Sequence, residues 1–267
     1  MNKRLLTAAL GIPLVIGFVW VGGFAFGAFV IILEIIMLCE YFNMLAWGNE
    51  NGRLKSFVLV ISIIWGLVYT VVVDFSASLA YMTPMIIILF ALIAVLALFS
   101  APRIDYAQFS ITFTGTVYIV CFLNYLLLIR RMADGLHAFI ALLIIIWTCD
   151  TIAYFVGIKF GKRKLAPLIS PKKSWEGAIG GYLASGCAFL VFAQYFLEVD
   201  TINKIIIAVT LPIIAQFGDL IESYIKRYFD VKDSGNFLPG HGGLFDRFDS
   251  IIFAAPFFFY LLTLTIG

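Results

Sequence analysis

Nine apolar runs, separated by short polar stretches, fill most of this chain and limit it to what a bilayer can hold. They lie at roughly 5–22, 24–46, 56–73, 79–99, 106–129, 135–157, 177–197, 203–222 and 249–266. Each is close to the ~20 residues a helix needs to cross a ~30 Å hydrocarbon core. Lipid offers the backbone no hydrogen-bond partner, so such runs are expected to satisfy themselves as helices. A hydrophobic share of 63% over 267 residues and a mean hydropathy of +1.04 exclude an ordinary soluble domain, where about 45–50% is usual. The fold class expected is an all-α polytopic integral membrane protein of about nine transmembrane helices.

The 18 Lys and Arg residues fall unequally on the two sides of these spans. Lys3, Arg4, Arg53, Lys55, Arg103, six residues between 159 and 173 and four between 226 and 247 share one side; Arg130, Arg131 and Lys204 lie on the other. Short cytoplasmic loops collect Lys and Arg, so the N-terminus is expected in the cytoplasm and the C-terminus on the opposite side. The assignment depends on reading 5–46 as two spans, because merging them scrambles the asymmetry. The basic, apolar start is read as an uncleaved span, since no small-x-small cleavage site leads into a polar chain. Cys39, Cys121, Cys149 and Cys187 sit in apolar runs without CxxC or Cys/His spacing and are expected to be buried thiols. Residues 1–130 are expected to give five scaffold spans, and 131–267 the chemistry-bearing helices with polar loops 158–176 and 223–248.

Under this topology the unusual polar residues converge on the cytoplasmic side in three clusters. The first is at the end of span six, where Asp150 has Tyr154 at i+4 on its face. An acid within a span marks a site by default, the alternative being a buried pairing with a neighbouring Lys or hydroxyl. The second is the loop KRKLAPLISPKKSWEGAIGG (162–181), with Lys162, Arg163, Lys164, Lys172 and Lys173 beside Ser170, Ser174 and Glu176. Ammonium groups and donors at a helix start bind phosphoryl oxygens, and Ser174 is placed to cap a helix opening at Trp175. Such loops also serve simply as topology anchors or contacts to anionic lipid heads.

The third cluster is the most polar stretch of the chain, Asp219 to Asp249. Asp219, Glu222 or Ser223, and Lys226 recur at i, i+3/i+4 and i+7, so they share one helical face. Gly235, Pro239, Gly240, Gly242 and Gly243 then punctuate a loop able to bring backbone N–H groups to an anion. Helix is expected again from Phe245, with Asp246 and Asp249 on one face. Hard cations such as Mg²⁺ bind through one or two carboxylates and are completed by substrate phosphates; Asp219 and Asp246 fit that role. With a second ion, the pair of metals would stabilise the charge that develops between the attacking oxygen and a leaving pyrophosphate in an in-line displacement. His241 either meets a phosphate, acts as acid or base, or orders the loop. Glu34 and Glu40, in span two, are expected to be structural, either paired with basic residues or protonated.

Ser223-Tyr-Ile-Lys-Arg227, Lys232-Asp233-Ser-Gly235 and Leu238-Pro-Gly-His-Gly-Gly-Leu-Phe-Asp-Arg-Phe-Asp249 together resemble the signature of the phosphatidate cytidylyltransferases, or CDP-diacylglycerol synthases. The upstream strings DTIAYFVGIKFGK (150–162) and SPKKSWEG (170–177) are also similar to segments of this family. The resemblance covers about 147–249; the first 130 residues match only in being hydrophobic. It implies transfer of the cytidylyl group of CTP to phosphatidate, release of pyrophosphate, and dependence on Mg²⁺. It carries over Asp219, Ser223, Lys226, Arg227, Lys232, Asp233, His241, Asp246, Arg247 and Asp249 as the functional core. Asp219, Lys226, His241, Asp246 and Asp249 are the expected catalytic residues. Substrate binding is expected at Asp150, Ser170, Lys172, Lys173, Ser174, Glu176, Ser223, Arg227, Lys232, Asp233, Gly242, Gly243 and Arg247.

The partners expected are CTP, phosphatidate, membrane lipids and a second copy of the chain, with no nucleic acid. The location expected is the cell's cytoplasmic (inner) membrane, with the site on its cytoplasmic side. Cytidine specificity rests on the resemblance alone. The competing readings are a CTP-dependent enzyme acting on another lipid, such as an ether-lipid cytidylyltransferase or a polyprenol kinase, and an ion-coupled transporter using Glu34, Glu40, Asp150, Asp219 and Glu222 as a relay.

Overall fold

The computed structural model describes residues 3–45, 52–101, 104–238 and 242–266. Among them are nine helices: α1 (Lys3–Val21), α2 (Gly23–Met44), α3 (Gly52–Ser76), α4 (Met82–Ser100), α5 (Tyr106–Arg131), α6 (Gly135–Phe160), α7 (Trp175–Phe196), α8 (Thr201–Tyr228) and α9 (Phe245–Ile266). Eight are long and apolar enough to cross a membrane, and α1 contributes the shorter apolar stretch Gly11–Val21. The protein is therefore a helical polytopic membrane protein.

The break within 5–46 is where the charge asymmetry requires it. Gly22 and Gly23 take positive φ (65° and 52°), a conformation that costs a residue with a Cβ about 1–2 kcal/mol. The chain reverses there, and Phe18 of α1 stacks on Phe29 of α2 with centroids 4.7 Å apart.

The chain forms two compact units, Met1–Leu128 with Asp233–Asp246, and Ile129–Lys232 with Arg247–Gly267. In the first, α2, α3 and α5 bury a polar chain: Asn124 Nδ2 donates to Thr70 Oγ1 (2.8 Å), and Thr70 Oγ1 donates to Glu34 Oε2 (2.6 Å). Glu34 was expected to meet a base or stay protonated; its partner is a hydroxyl, because no Lys or Arg occurs in the apolar runs opposite it. On α4 only Leu89 and Ile93 are buried, so most of this apolar helix lies outside the protein core.

In the second unit α6 and α7 approach closely. A Cβ at Gly177 would lie 2.6 Å from the Ala153 carbonyl oxygen, and one at Gly181 would lie 2.6 Å from that of Cys149. Small residues permit such contact where lipid supplies no hydrophobic drive between helices. Between these helices the expected loop is partly a hairpin of β1 (Lys164–Ala166) and β2 (Ser170–Ser174), with Lys164 opposite Ser174 and Ala166 opposite Ser170. Pro171 is tolerated in β2 because a two-stranded ribbon leaves one side of each strand without a ladder. Cys121 and Cys149 are buried as expected, whereas Cys187 is exposed and Cys39 half-buried, since those helix faces are not covered by protein.

Candidate active site

Unit two gathers Asp150, Lys173, Asp219, Ser223 and Asp249. The α8–α9 approach is responsible for part of this: a Cβ at Gly218 would sit 2.7 Å from Phe253 Cβ and 3.0 Å from the Asp249 carbonyl oxygen. The next residue, Asp219, therefore lies within electrostatic reach of Asp249, and both interact with Asp150 on α6. Lys173, from the hairpin, puts its Nζ 2.5 Å from Asp219 Oδ2 with both side chains about a quarter exposed (27% and 29%). Arg247 adds positive charge near Asp150. Ser223 Oγ is 3.5 Å from Asp219 Oδ1, at the outer limit of a hydrogen bond. Asp249 Oδ1 accepts from the Ser250 N–H at 2.6 Å.

The hairpin that delivers Lys173 is braced by its neighbours. Ser174 caps α7 as expected, its Oγ accepting from Gly177 N–H at 3.2 Å. Glu176 accepts from the N–H groups of Lys162 (3.0 Å) and Arg163 (3.2 Å), and the Arg163 carbonyl accepts from Trp175 N–H at 3.0 Å. Arg227 donates from Nε to the Ile169 carbonyl (3.3 Å) and from Nη1 to that of Val231 (3.0 Å), which ties the hairpin turn to the end of α8. Ser174, Glu176 and Arg227 thus spend their side chains on local main chain. Lys172 is exposed, as is Lys232, and Ser170 is half-buried. Lys226 pairs with the fully buried Glu222 at 2.6 Å, so its charge is balanced within its own helix.

One participant lies outside the sequence-derived set. Gln216 donates from Nε2 to the Ala178 carbonyl (3.2 Å) and to Cys149 Sγ (3.4 Å), joining α8 to α6 and α7 one turn before Asp219. Its signal was present, as the i−3 continuation of the stripe formed by Asp219, Glu222 and Lys226.

Unit one holds the glycine loop. Asp246 Oδ2 accepts from Gly243 N–H (2.8 Å) and Ser234 N–H (3.0 Å). Glu40 accepts from Leu244 N–H and Phe245 N–H, each at 2.8 Å, and from Ser234 Oγ at 3.1 Å. Glu40 was expected to be structural, paired with a base or protonated; the groups that meet it are donors of the loop and of the α9 start, where four backbone N–H groups lack helical partners. Leu238 N–H bonds the Gly242 carbonyl at 3.0 Å, and Gly242 takes φ +84°. Asp233 is exposed. The expectation for His241 falls outside the described residues.

Among the described residues, no group of three or more His, Cys, Asp or Glu side chains is arranged to hold a metal ion by itself. A substrate-completed Mg²⁺ site needs only one or two carboxylates. The chemistry of the donor set fits it: three hard carboxylates, Asp150, Asp219 and Asp249, interact with Lys173 in common.

Residues 2–265 match the family model described as the cytidylyltransferase family. A protein of Bacillus subtilis strain 168 named phosphatidate cytidylyltransferase is 45% identical over 154 residues, 56% of each chain. One of Staphylococcus haemolyticus with the same name is 32% identical over 271 residues, covering 98% of this chain and 99% of that relative. One of Staphylococcus aureus strain COL, also so named, is 32% identical over 272 residues with the same coverage.

Proposed function

This chain belongs to the cytidylyltransferase family and is a nucleotidyltransferase, and from that premise we propose that it transfers the cytidylyl group of CTP to phosphatidate, forming CDP-diacylglycerol and pyrophosphate. The observation that carries the acceptor assignment is the full-length similarity to relatives named for this activity. Phosphatidate reaches the protein laterally from the leaflet and CTP from the cytosol. The reaction is therefore proposed at the cytoplasmic face of the cell membrane, the side that the excess of Lys and Arg supports.

In the proposed step a phosphatidate oxygen, already ionised at neutral pH, attacks the α-phosphorus of CTP. A P–O bond forms there, the bond to the oxygen bridging the α- and β-phosphorus breaks, and pyrophosphate leaves. Because the nucleophile carries no proton at its reacting oxygen, no strong general base is needed, and Ser223 binds rather than attacks. Lys172, Lys173 and Arg247 are the chain's proposed phosphate-binding cations. Lys226, balanced by Glu222, acts chiefly in holding α8. Ser174, Glu176 and Arg227 keep the hairpin in place, so that Lys173 stays at Asp219. Asp219, with Asp249 and Asp150 beside it, is the proposed Mg²⁺ holder; Asp246, a hard carboxylate at the start of α9, is proposed to hold a second ion. Bound there, Mg²⁺ would supply neutralisation of phosphate charge as it develops.

The test is an acceptor comparison with purified protein in detergent, Mg²⁺ and cytidine-labelled CTP. Label should enter the lipid phase with dioleoyl phosphatidate and exceed by at least tenfold that seen with an ether-lipid phosphate or a polyprenol. Preferred labelling of either of those would overturn the acceptor.

A further inference from the structure

We infer that Glu40 is a positioning residue for the transfer reaction, holding residues 233–235 and 242–246, and Asp246 with them, by occupying main-chain donors that a glycine-rich loop would otherwise offer to a phosphate. The inference rests on the proposed function for its assay.

A loop of this composition at a helix start ordinarily reads as an anion cradle, because unpaired N–H groups and the helix dipole point the same way. Here the cradle already contains anions of the chain itself. Leu244 and Phe245 give their N–H groups to Glu40, and Ser234 and Gly243 give theirs to Asp246. Ser234 also gives its hydroxyl to Glu40. Glu40 is 6% exposed, Ser234 4%, Leu244 8% and Phe245 0%, so water does not compete for these bonds, and charge-assisted bonds in such surroundings are the strong ones.

The glycines serve this arrangement. A Cβ at Gly235 would lie 2.9 Å from Glu40 Oε1, and one at Gly243 would lie 2.6 Å from Oε2. A side chain at Gly235 would enter the space of the Glu40 carboxylate, and one at Gly243 would meet the Ser234 hydroxyl first and that carboxylate next. Glu40 is itself held by its neighbour: Tyr41 donates its hydroxyl to the Ile111 carbonyl at 2.9 Å, and its ring meets Phe245 edge-on at 6.5 Å and 83°. An acid some 200 residues upstream (separations of 194, 204 and 205) therefore sets the shape of the signature loop.

The two roles of the loop predict opposite kinetics. If its main chain binds the CTP phosphates, removing Glu40 frees donors and lowers KM for CTP. If Glu40 positions Asp246, Glu40→Gln faces amide hydrogens towards N–H donors, and kcat falls while KM for CTP holds. Steady-state kinetics of wild type, Glu40→Gln, Glu40→Asp and Ser234→Ala in detergent, each checked for monodispersity, decide this. The expected result is a kcat loss of at least 30-fold for Glu40→Gln with KM for CTP within threefold. Glu40→Asp should recover part of that loss, and Ser234→Ala, which leaves both N–H bonds to Glu40, should stay within fivefold of wild type. If Glu40→Gln does not fold, Glu40→Asp must still lose kcat at constant KM. Unchanged kcat, or a lowered KM for CTP, overturns the inference. A wild type that labels no lipid instead overturns the proposed function.

Discussion

Replacing Lys173 by Met keeps the side-chain stem and removes one charge from beside three carboxylates. The ammonium lies 2.5 Å from Asp219 and interacts also with Asp150 and Asp249. At an effective dielectric of ~20, a pair at that distance attracts by roughly 6–7 kcal/mol gross. Both groups are about a quarter exposed (27% and 29%), so solvent screening and lost hydration remove most of that, leaving about 1–3 kcal/mol. At about 2–4 °C per kcal/mol for a domain of this size, the loss corresponds to about 2–12 °C in unfolding midpoint. The assay is thermal unfolding in detergent of wild type, Lys173→Met, Asp219→Asn and the double variant, with chelator and then with Mg²⁺. In chelator the single variants should show a coupling of about 1–3 kcal/mol, and Mg²⁺ should restore Lys173→Met by more than it raises wild type, because binding to the folded state stabilises by mass action. Single effects that add to within about 0.5 kcal/mol, with no differential Mg²⁺ rescue, would refute the reasoning.

Gly218→Ala places a methyl 2.7 Å from Phe253 Cβ; forcing α8 from α9 should cost about 1–3 kcal/mol and lower kcat at least tenfold, read by thermal unfolding and turnover together. Ser174→Ala removes the α7 cap and should cost about 1 kcal/mol, with a smaller activity loss than Lys173→Met. Asp246→Asn keeps one acceptor oxygen but turns a donor towards Ser234 or Gly243. It should leave a folded protein, destabilised by about 1–2 kcal/mol, with turnover reduced at least 100-fold; retained turnover would remove Asp246 from the proposed ion site.

The helices were legible because apolar runs of bilayer length have one satisfactory backbone solution, and the reversal at Gly22–Gly23 followed from charge bookkeeping across loops. The Ser174 cap was readable from residue type and position alone. The stripe from Asp219 to Lys226 was also readable, but its partners were not: i+4 spacing made Glu222 and Lys226 neighbours without revealing that Glu222 is fully buried. The hairpin carrying Lys173 escaped because three- and five-residue strands give too short a period-two signal. Glu40 escaped for a different reason. Its partners are backbone N–H groups some 200 residues away, and main-chain donors carry no side-chain signature, so an acid in an apolar run was read as paired with a base or protonated.

The most direct measurement is a paired reaction with phosphatidate, one tube holding CTP labelled at the α-phosphorus and the other CTP labelled at the γ-phosphorus. Cytidylyl transfer predicts that the α label enters the lipid phase and the γ label leaves as pyrophosphate, with both losing lipid dependence in Asp219→Asn. Entry of the γ label into lipid, with the α label remaining in soluble nucleotide, would mean phosphoryl transfer by a kinase and would contradict the account.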